Sequence, residues 1–170
     1  MEQGPRPRVV PRVRRTSESG QAILEFLLVL PLLLLIGAAV WEYGRILEVQ
    51  IIAANAAREG ARYGTTHSTD GNATLTTEIQ NRVIADMRFA YGNRLGTGAT
   101  CTGGDVCFNQ TASATNPDIL VTFTPSTGGP GSTVSVQATV HVTIFAPFVP
   151  GLTDPSGKYT VSDLESMVLQ

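Results

Sequence analysis

Ala22–Trp41 reads AILEFLLVLPLLLLIGAAVW, with Glu25 as its sole charge. In a helix such a run extends about 30 Å, the thickness of a bilayer's hydrocarbon core. It is therefore long enough to cross a membrane. A secretory signal has a shorter apolar region and a small-residue cleavage site behind it. Here the run flows into more helix-like sequence, and nothing resembles A-x-A. The run reads as a retained membrane helix; a removed signal and a buried core helix are the alternatives. Arg6, Arg8, Arg12, Arg14 and Arg15 precede it, which sets the N-terminus in the cytoplasm and the C-terminal bulk outside. About 120 residues would then be exported, enough for one modest hydrophobic core.

Outside this run the composition is mild. The chain has 170 residues and a formal net charge of -2, with 15% charged residues. An average soluble domain has about 25%. There is no basic excess of the kind that marks a nucleic-acid binder, and after Arg94 the only basic residue is Lys158. Two His and two Cys are too few for a Cys/His metal cluster without carboxylates.

Two residues interrupt the apolar run. Pro31 lacks an N–H and clashes one turn back, so it should kink or loosen the helix. Glu25 is a carboxylate in hydrocarbon, which costs on the order of 2.5–3.5 kcal/mol on insertion scales and calls for a partner. Snorkelling to the cytoplasmic interface is the simpler alternative. Its context argues for more. Gly20 closes the polar leader, Glu25 is the fifth residue beyond it, and Phe26 follows. This G-x-x-x-x-E-F pattern between a basic leader and an apolar run resembles a type IV prepilin processing site. The resemblance implies cleavage after Gly20 by a membrane prepilin peptidase and a new N-terminus at Gln21. It also implies pairing of the Glu25 carboxylate with the amine of a neighbouring subunit. Two buried charges are tolerated when paired, and either one alone is costly.

The next stretch narrows the resemblance. Glu42-Tyr43-Gly44-Arg45 and Asn55-Ala56-Ala57-Arg58-Glu59-Gly60-Ala61-Arg62-Tyr63 read EYGR…NAAREGARY. With ESGQAILEFLLVLPLLLL they resemble the TadE-like family of the tight-adherence (Tad) pilus system, from Arg15 to about Gly64. Beyond that the match is looser and includes FAPFVPGL at Phe145–Leu152. The family implies a pilin-like or pseudopilin-like membrane protein with a helical N-terminus and an exported globular end.

The same residues have a reading of their own. Tyr43, Leu47, Ala54, Ala57 and Ala61 fall on one helical face, and Glu48, Asn55, Glu59 and Arg62 on another. One long helix over 21–63 is expected, membrane-spanning in 22–41. Its small residues (Ala53, Ala54, Ala57, Gly60, Ala61) allow a close approach by the chain's own domain or by another subunit. Arg58, Glu59 and Arg62 form either a solvated face or specific ion pairs. Residues 64–73 are turn-rich. Leu75, Ile79, Val83 and Met87 recur every fourth residue and predict a second helix over 74–91. Glu78 and Arg82 are spaced as an i,i+4 pair on its wet side, and Gly92 is placed to end it.

Cys101 and Cys107 flank TGGDV. In an exported domain they invite a disulfide; free thiols or a metal site are the alternatives, and the lack of a nearby His argues against metal. Ile119, Val121 and Phe123 then alternate with polar or smaller residues. Val134, Val136, Ala138, Val140, Val142 and Ile144 occupy every even position, with polar residues between them. That period predicts a sheet with one buried and one wet face. A hairpin turn is expected around Gly128–Gly131, and Tyr159–Val168 supplies a third strand.

No nucleophile has a visible base. His141 lies on the polar side of its strand, and GGPGST lacks the Lys of a phosphate loop. Asp105, Asp118, Asp154 and Asp163 lack calcium-loop spacing. Neither an enzyme nor a cofactor or metal is expected. The expected class is α+β and pilin-like: a basic leader (1–20), the long helix (21–63), and an exported domain (64–170) with a short helix and a small antiparallel sheet. The expected role is that of a minor pilin or pseudopilin in the cytoplasmic (inner) membrane or in a surface pilus. Its partners would be lipid, prepilin peptidase, other pilins and Tad assembly proteins, with self-association in a filament and no nucleic acid. The alternative is an unprocessed single-pass anchor presenting an extracytoplasmic binding module.

Overall fold

The computed structural model describes residues 18–67, 72–96, 104–113, 116–126, 130–144 and 157–170. Expectations placed on residues 1–17, on Cys101 and on the Phe145–Leu152 element lie outside those residues. The chain is α+β. Two helices, α1 (Glu18–Thr66) and α2 (Asn72–Tyr91), are followed by a 3-10 turn at Gly92–Arg94. Four strands complete it: β1 (Val106–Cys107), β2 (Ile119–Thr124), β3 (Thr133–Thr143) and β4 (Lys158–Val168). The chain divides into two compact units, Met1–Ala38 and Ala39–Gln170, and α1 contributes to both.

In the first unit α1 is apolar all round. Ile23, Leu24, Phe26–Val29 and Leu32–Ile36 are all exposed. A helix of this composition belongs in a protein core or in a bilayer. Among the described residues none covers this one, and it is long and apolar enough to span a membrane. Pro31 lies inside it, where its missing N–H leaves the Leu27 carbonyl without the usual intrahelical donor.

In the second unit β3 is the central strand. It pairs antiparallel with β4 along its whole length, from Thr133↔Val168 to Thr143↔Lys158. Along its other edge lie β2, from Ile119↔Ala138 to Thr124↔Thr133, and β1, with Val106↔Val142. The alternation in β3 is realised as expected: Val134, Val136, Ala138, Val140 and Val142 are buried. Each buried Val stabilises by roughly 1.5–3 kcal/mol relative to exposure. Leu75, Ile79, Val83 and Met87 of α2 are buried in the same core. The helix begins two residues before the expected 74. Gly92 follows it at φ +50°, in the left-handed region that glycine enters at no steric cost.

The packing face of α1 keeps the expected small residues Ala53, Ala57, Gly60 and Ala61 but not Tyr43 and Leu47. Tyr43 is 63% exposed and Leu47 39%, while Val49, Ala53, Ala56, Ala57, Gly60, Ala61 and Gly64 are buried. The buried stripe is turned roughly a quarter-turn from the Tyr43–Leu47 side. Small side chains decide this. A Cβ on Gly60 would come within 2.5 Å of Val83 Cγ2, and one on Gly64 within 3.0 Å of Ile79 Cδ1. The Ala/Gly side admits α2 and the sheet to contact, and the larger apolar residues are left outward.

Candidate functional site

Two groups of residues were singled out in the sequence, one in each unit. The first is the start of α1. Gly20 and Gln21 are helical and exposed, one turn before Glu25. Gln21 Nε2 donates to Glu25 Oε1 at 3.1 Å. This bond joins a neutral amide to an exposed carboxylate and leaves the charge uncompensated, so a cationic donor can displace it. Among the described residues no cation pairs with Glu25. Phe26 beside it is exposed.

The second group is the EYGR…NAAREGARY motif, whose charges hold the domain together. Glu42 is nearly buried, and Arg45 Nη1 lies 3.4 Å from both of its carboxylate oxygens. Arg45 also bonds Asp105, and its Nη2 lies 3.5 Å from the Thr143 carbonyl. Arg94 closes the ring. Its Nη1 donates to both Glu48 oxygens at 2.9 Å, and its Nη2 lies 3.4 Å from Asp105. The Glu48 hydrogen bonds raise the Arg94 pKa, and Asp105 adds to this. Just above, the Tyr91 hydroxyl donates to the Val49 carbonyl at 3.2 Å; burial pushes its pKa well above the usual tyrosine value. This clasp ties α1 to the 3-10 turn and to the approach to β1. It lines a groove of about 1400 Å³ with Val40, Trp41 and Ile144. Because Arg45 and Arg94 are already matched by three carboxylates, the groove offers no net positive charge to an anion.

Further along α1, Arg58 pairs with Glu165 of β4 at 2.8 Å. Glu59 accepts from Arg62 Nε and Nη2, both at 2.8 Å, and from Arg82 at 3.0 Å. These are specific ion pairs. Arg82 therefore turns across to α1, and Glu78 accepts from the Tyr63 hydroxyl at 3.3 Å, instead of the two joining along α2. Tyr63 stacks on His67 with ring centroids 4.0 Å apart. Tyr43, Gly44 and Asn55 are exposed, and a Cβ on Gly44 would meet nothing within 4 Å. Sequence reading missed Glu48, Arg94 and Glu165 as partners.

The Arg62 hydrogen bonds hold the Glu59 carboxyl below the usual glutamate value; partial burial opposes this, and Arg82 reinforces it. A depressed folded-state pKa gives stability that is present above the unfolded value and is lost as pH falls through the folded one. Thermal unfolding of the full chain in detergent should therefore show a fall in stability on acidification through the carboxylate range. Glu59→Gln should flatten that fall by less than about 1 kcal/mol, the scale of exposed ion pairs. An unchanged slope in the variant would contradict the assignment.

Cys107 carries no free thiol. Its pairing with Cys101 remains the expectation from an oxidising compartment. Alkylation of native protein without reductant should leave both cysteines unlabelled, and Cys107→Ser should destabilise by about 2 kcal/mol. Labelling of either thiol before reduction would contradict the pairing. His141 Nε2 lies 3.3 Å from Asp118 and Nδ1 lies 3.2 Å from the Thr160 hydroxyl. That is a cross-strand surface contact. Among the described residues, no three His, Cys, Asp or Glu side chains converge to hold a metal.

A long apolar N-terminal helix, continued into a small α+β domain and clasped there by its own charges, has the form of a membrane anchor. Residues 20–62 match the model of the TadE-like protein family, so the anchor helix and motif of this chain are TadE-like. No curated protein and no solved structure matches the chain. The matched segment fits a protein associated with Tad pili.

Proposed function

We propose that this chain is a minor pilin or pseudopilin of a Tad-type pilus. It inserts through 22–41 as a single pass in the cytoplasmic membrane, with its N-terminus inside. Prepilin peptidase removes Met1–Gly20. The Gln21 amine of one copy then pairs with Glu25 of a neighbour as the chain joins, or primes, a filament with other pilins and Tad assembly proteins. The observation that carries this reading is Glu25 itself. It is an acid on an otherwise apolar, uncovered helix, five residues beyond Gly20, with a neutral amide as its hydrogen-bond partner. The outward apolar residues Tyr43, Leu47 and Ile51 follow the hydrocarbon run in α1 and support lateral contact with other subunits.

Co-expression with a prepilin peptidase tests the reading. The chain should shorten by the segment Met1–Gly20, and Gly20→Val should block the change. A full-length chain in the presence of active peptidase would contradict it. The rival, an unprocessed anchor presenting the sheet face to a ligand, is less well supported. Ser135 with Ser166, and Gln137 with Ser162, already satisfy one another across that face. Shear separates the two readings: a filament subunit leaves the cell with pili, and an anchor stays with membranes.

A further inference from the structure

Gln21 places a side-chain carboxamide at the position that processing would turn into a chain terminus. Gln21 and Glu25 stand one helical turn apart, and the side-chain amide of Gln21 reaches forward to Glu25 Oε1 at 3.1 Å. Once Gln21 is terminal, its α-nitrogen and its own Cδ are the right number of bonds apart to close a five-membered lactam. We propose that Gln21 of the processed chain is a self-modification site, and that closure silences the chain for assembly. The proposal rests on cleavage after Gly20.

The reaction balances without a co-reactant. The α-nitrogen attacks Cδ, the N–Cδ bond forms, and the Cδ–Nε2 bond breaks. Nε2 leaves as ammonia and carries away, as ammonium, the proton that the α-ammonium group gives up. Nothing is oxidised or reduced. An α-amine titrates close to neutrality, so its nucleophilic form is accessible under ordinary conditions. The product terminus is neutral. It offers no counter-charge to the Glu25 of a neighbour, and a carboxylate in hydrocarbon without one is disfavoured.

The observed hydrogen bond opposes closure. It draws the amide toward the following turn and away from the α-nitrogen. A terminus already paired in a filament is shielded further, because its nitrogen is held protonated. Closure therefore falls on processed chains that wait unassembled in the membrane. Gln21 acts as a timer that limits how long such a chain stays competent.

The test uses the full chain co-expressed with prepilin peptidase in pilus-forming cells, with a pulse of labelled amino acids and a chase. The N-terminal peptide is weighed from membranes and from sheared filaments, and a heavy-isotope copy of the same peptide corrects for closure during digestion. A Gln21 peptide lighter by one ammonia should accumulate in membranes and be depleted in filaments. Glu25→Ala should raise its rate of formation roughly two- to ten-fold, the scale of losing one exposed hydrogen bond. Gln21→Ala should show no loss of mass. A Gln21 peptide that keeps its full mass through the chase overturns the proposal and leaves the cleavage reading standing. Equal lactam fractions in membranes and filaments overturn the timer. A peptide still carrying Met1–Gly20 overturns the cleavage reading itself.

Discussion

Replacing Glu25 by Ala should leave the chain in the membrane and remove it from pili. The two outcomes have opposite electrostatic origins. Insertion is favoured when a carboxylate leaves hydrocarbon, by up to about 3 kcal/mol at the bilayer centre and less toward the interface. Assembly is disfavoured, because the amine of the neighbouring chain would enter the same apolar surroundings without its counter-charge. Breaking one side of a buried pair costs on the order of 3 kcal/mol or more. That corresponds to more than a hundredfold in association. Glu25→Gln keeps the shape and the hydrogen-bonding capacity of the side chain and should fail almost as severely, because charge is what is lost. Membrane flotation and immunoblotting of sheared filaments read both outcomes. Normal incorporation of either variant would remove the role assigned to the carboxylate.

Gly60→Val should be the most damaging single substitution in the motif for folding. The added Cβ would sit 2.5 Å from Val83 Cγ2 and 3.3 Å from Ile79 Cγ2, and Val136 Cγ1 is 3.5 Å away. α2 and the sheet both stand in the way, so no single rotamer change relieves the overlap. Overpacking of this kind costs about 2–3 kcal/mol, offset only in part by the better helix propensity of Val over Gly. The midpoint of thermal unfolding should fall by about 10 °C. Gly44 is the internal control. It is exposed in the same helix with nothing within 4 Å of a built Cβ, so Gly44→Ala should be neutral or stabilise by about 0.5–1 kcal/mol. Circular dichroism melts of both variants in detergent decide the matter. Equal midpoints would mean that α2 does not pack on α1 as described.

The parts of the fold that were legible in the sequence are those governed by local period. The uncovered apolar run, the four-residue recurrence from Leu75 to Met87 and the two-residue alternation from Val134 to Val142 all translate directly into which face meets water. The packing side of α1 was legible only in part: its small residues Ala53, Ala57, Gly60 and Ala61 do pack, but Tyr43 and Leu47, grouped with Ala57 and Ala61 on one face, do not. Tyr43 and Leu47 are large and offer more apolar surface than Ala53, Ala56 and Gly60. Contact with α2, however, is set by how closely two backbones approach, and that rewards the absence of side chains. β1 was missed because two residues show no period, and Val106 is a strand only through its partner Val142. In the site, Gly20, Gln21 and Glu25 lie close in the chain and so form a local pattern. Arg45 has a local partner in Glu42, but its contact with Asp105 and the partners of Arg58 and Arg94 could not be read. Asp105, Glu165 and Glu48 lie far from those arginines in the chain and meet them only through the tertiary fold. The i,i+4 rule that paired Glu78 with Arg82 failed for the same reason: Glu59 offers Arg82 a carboxylate already held in place by Arg62.

The most direct test is the identity of the first residue of the chain found in filaments sheared from its native cells, read by mass spectrometry. The account predicts that the protein is present there and begins at Gln21. A polypeptide recovered solely from membranes, with its arginine-rich leader still attached, would contradict it.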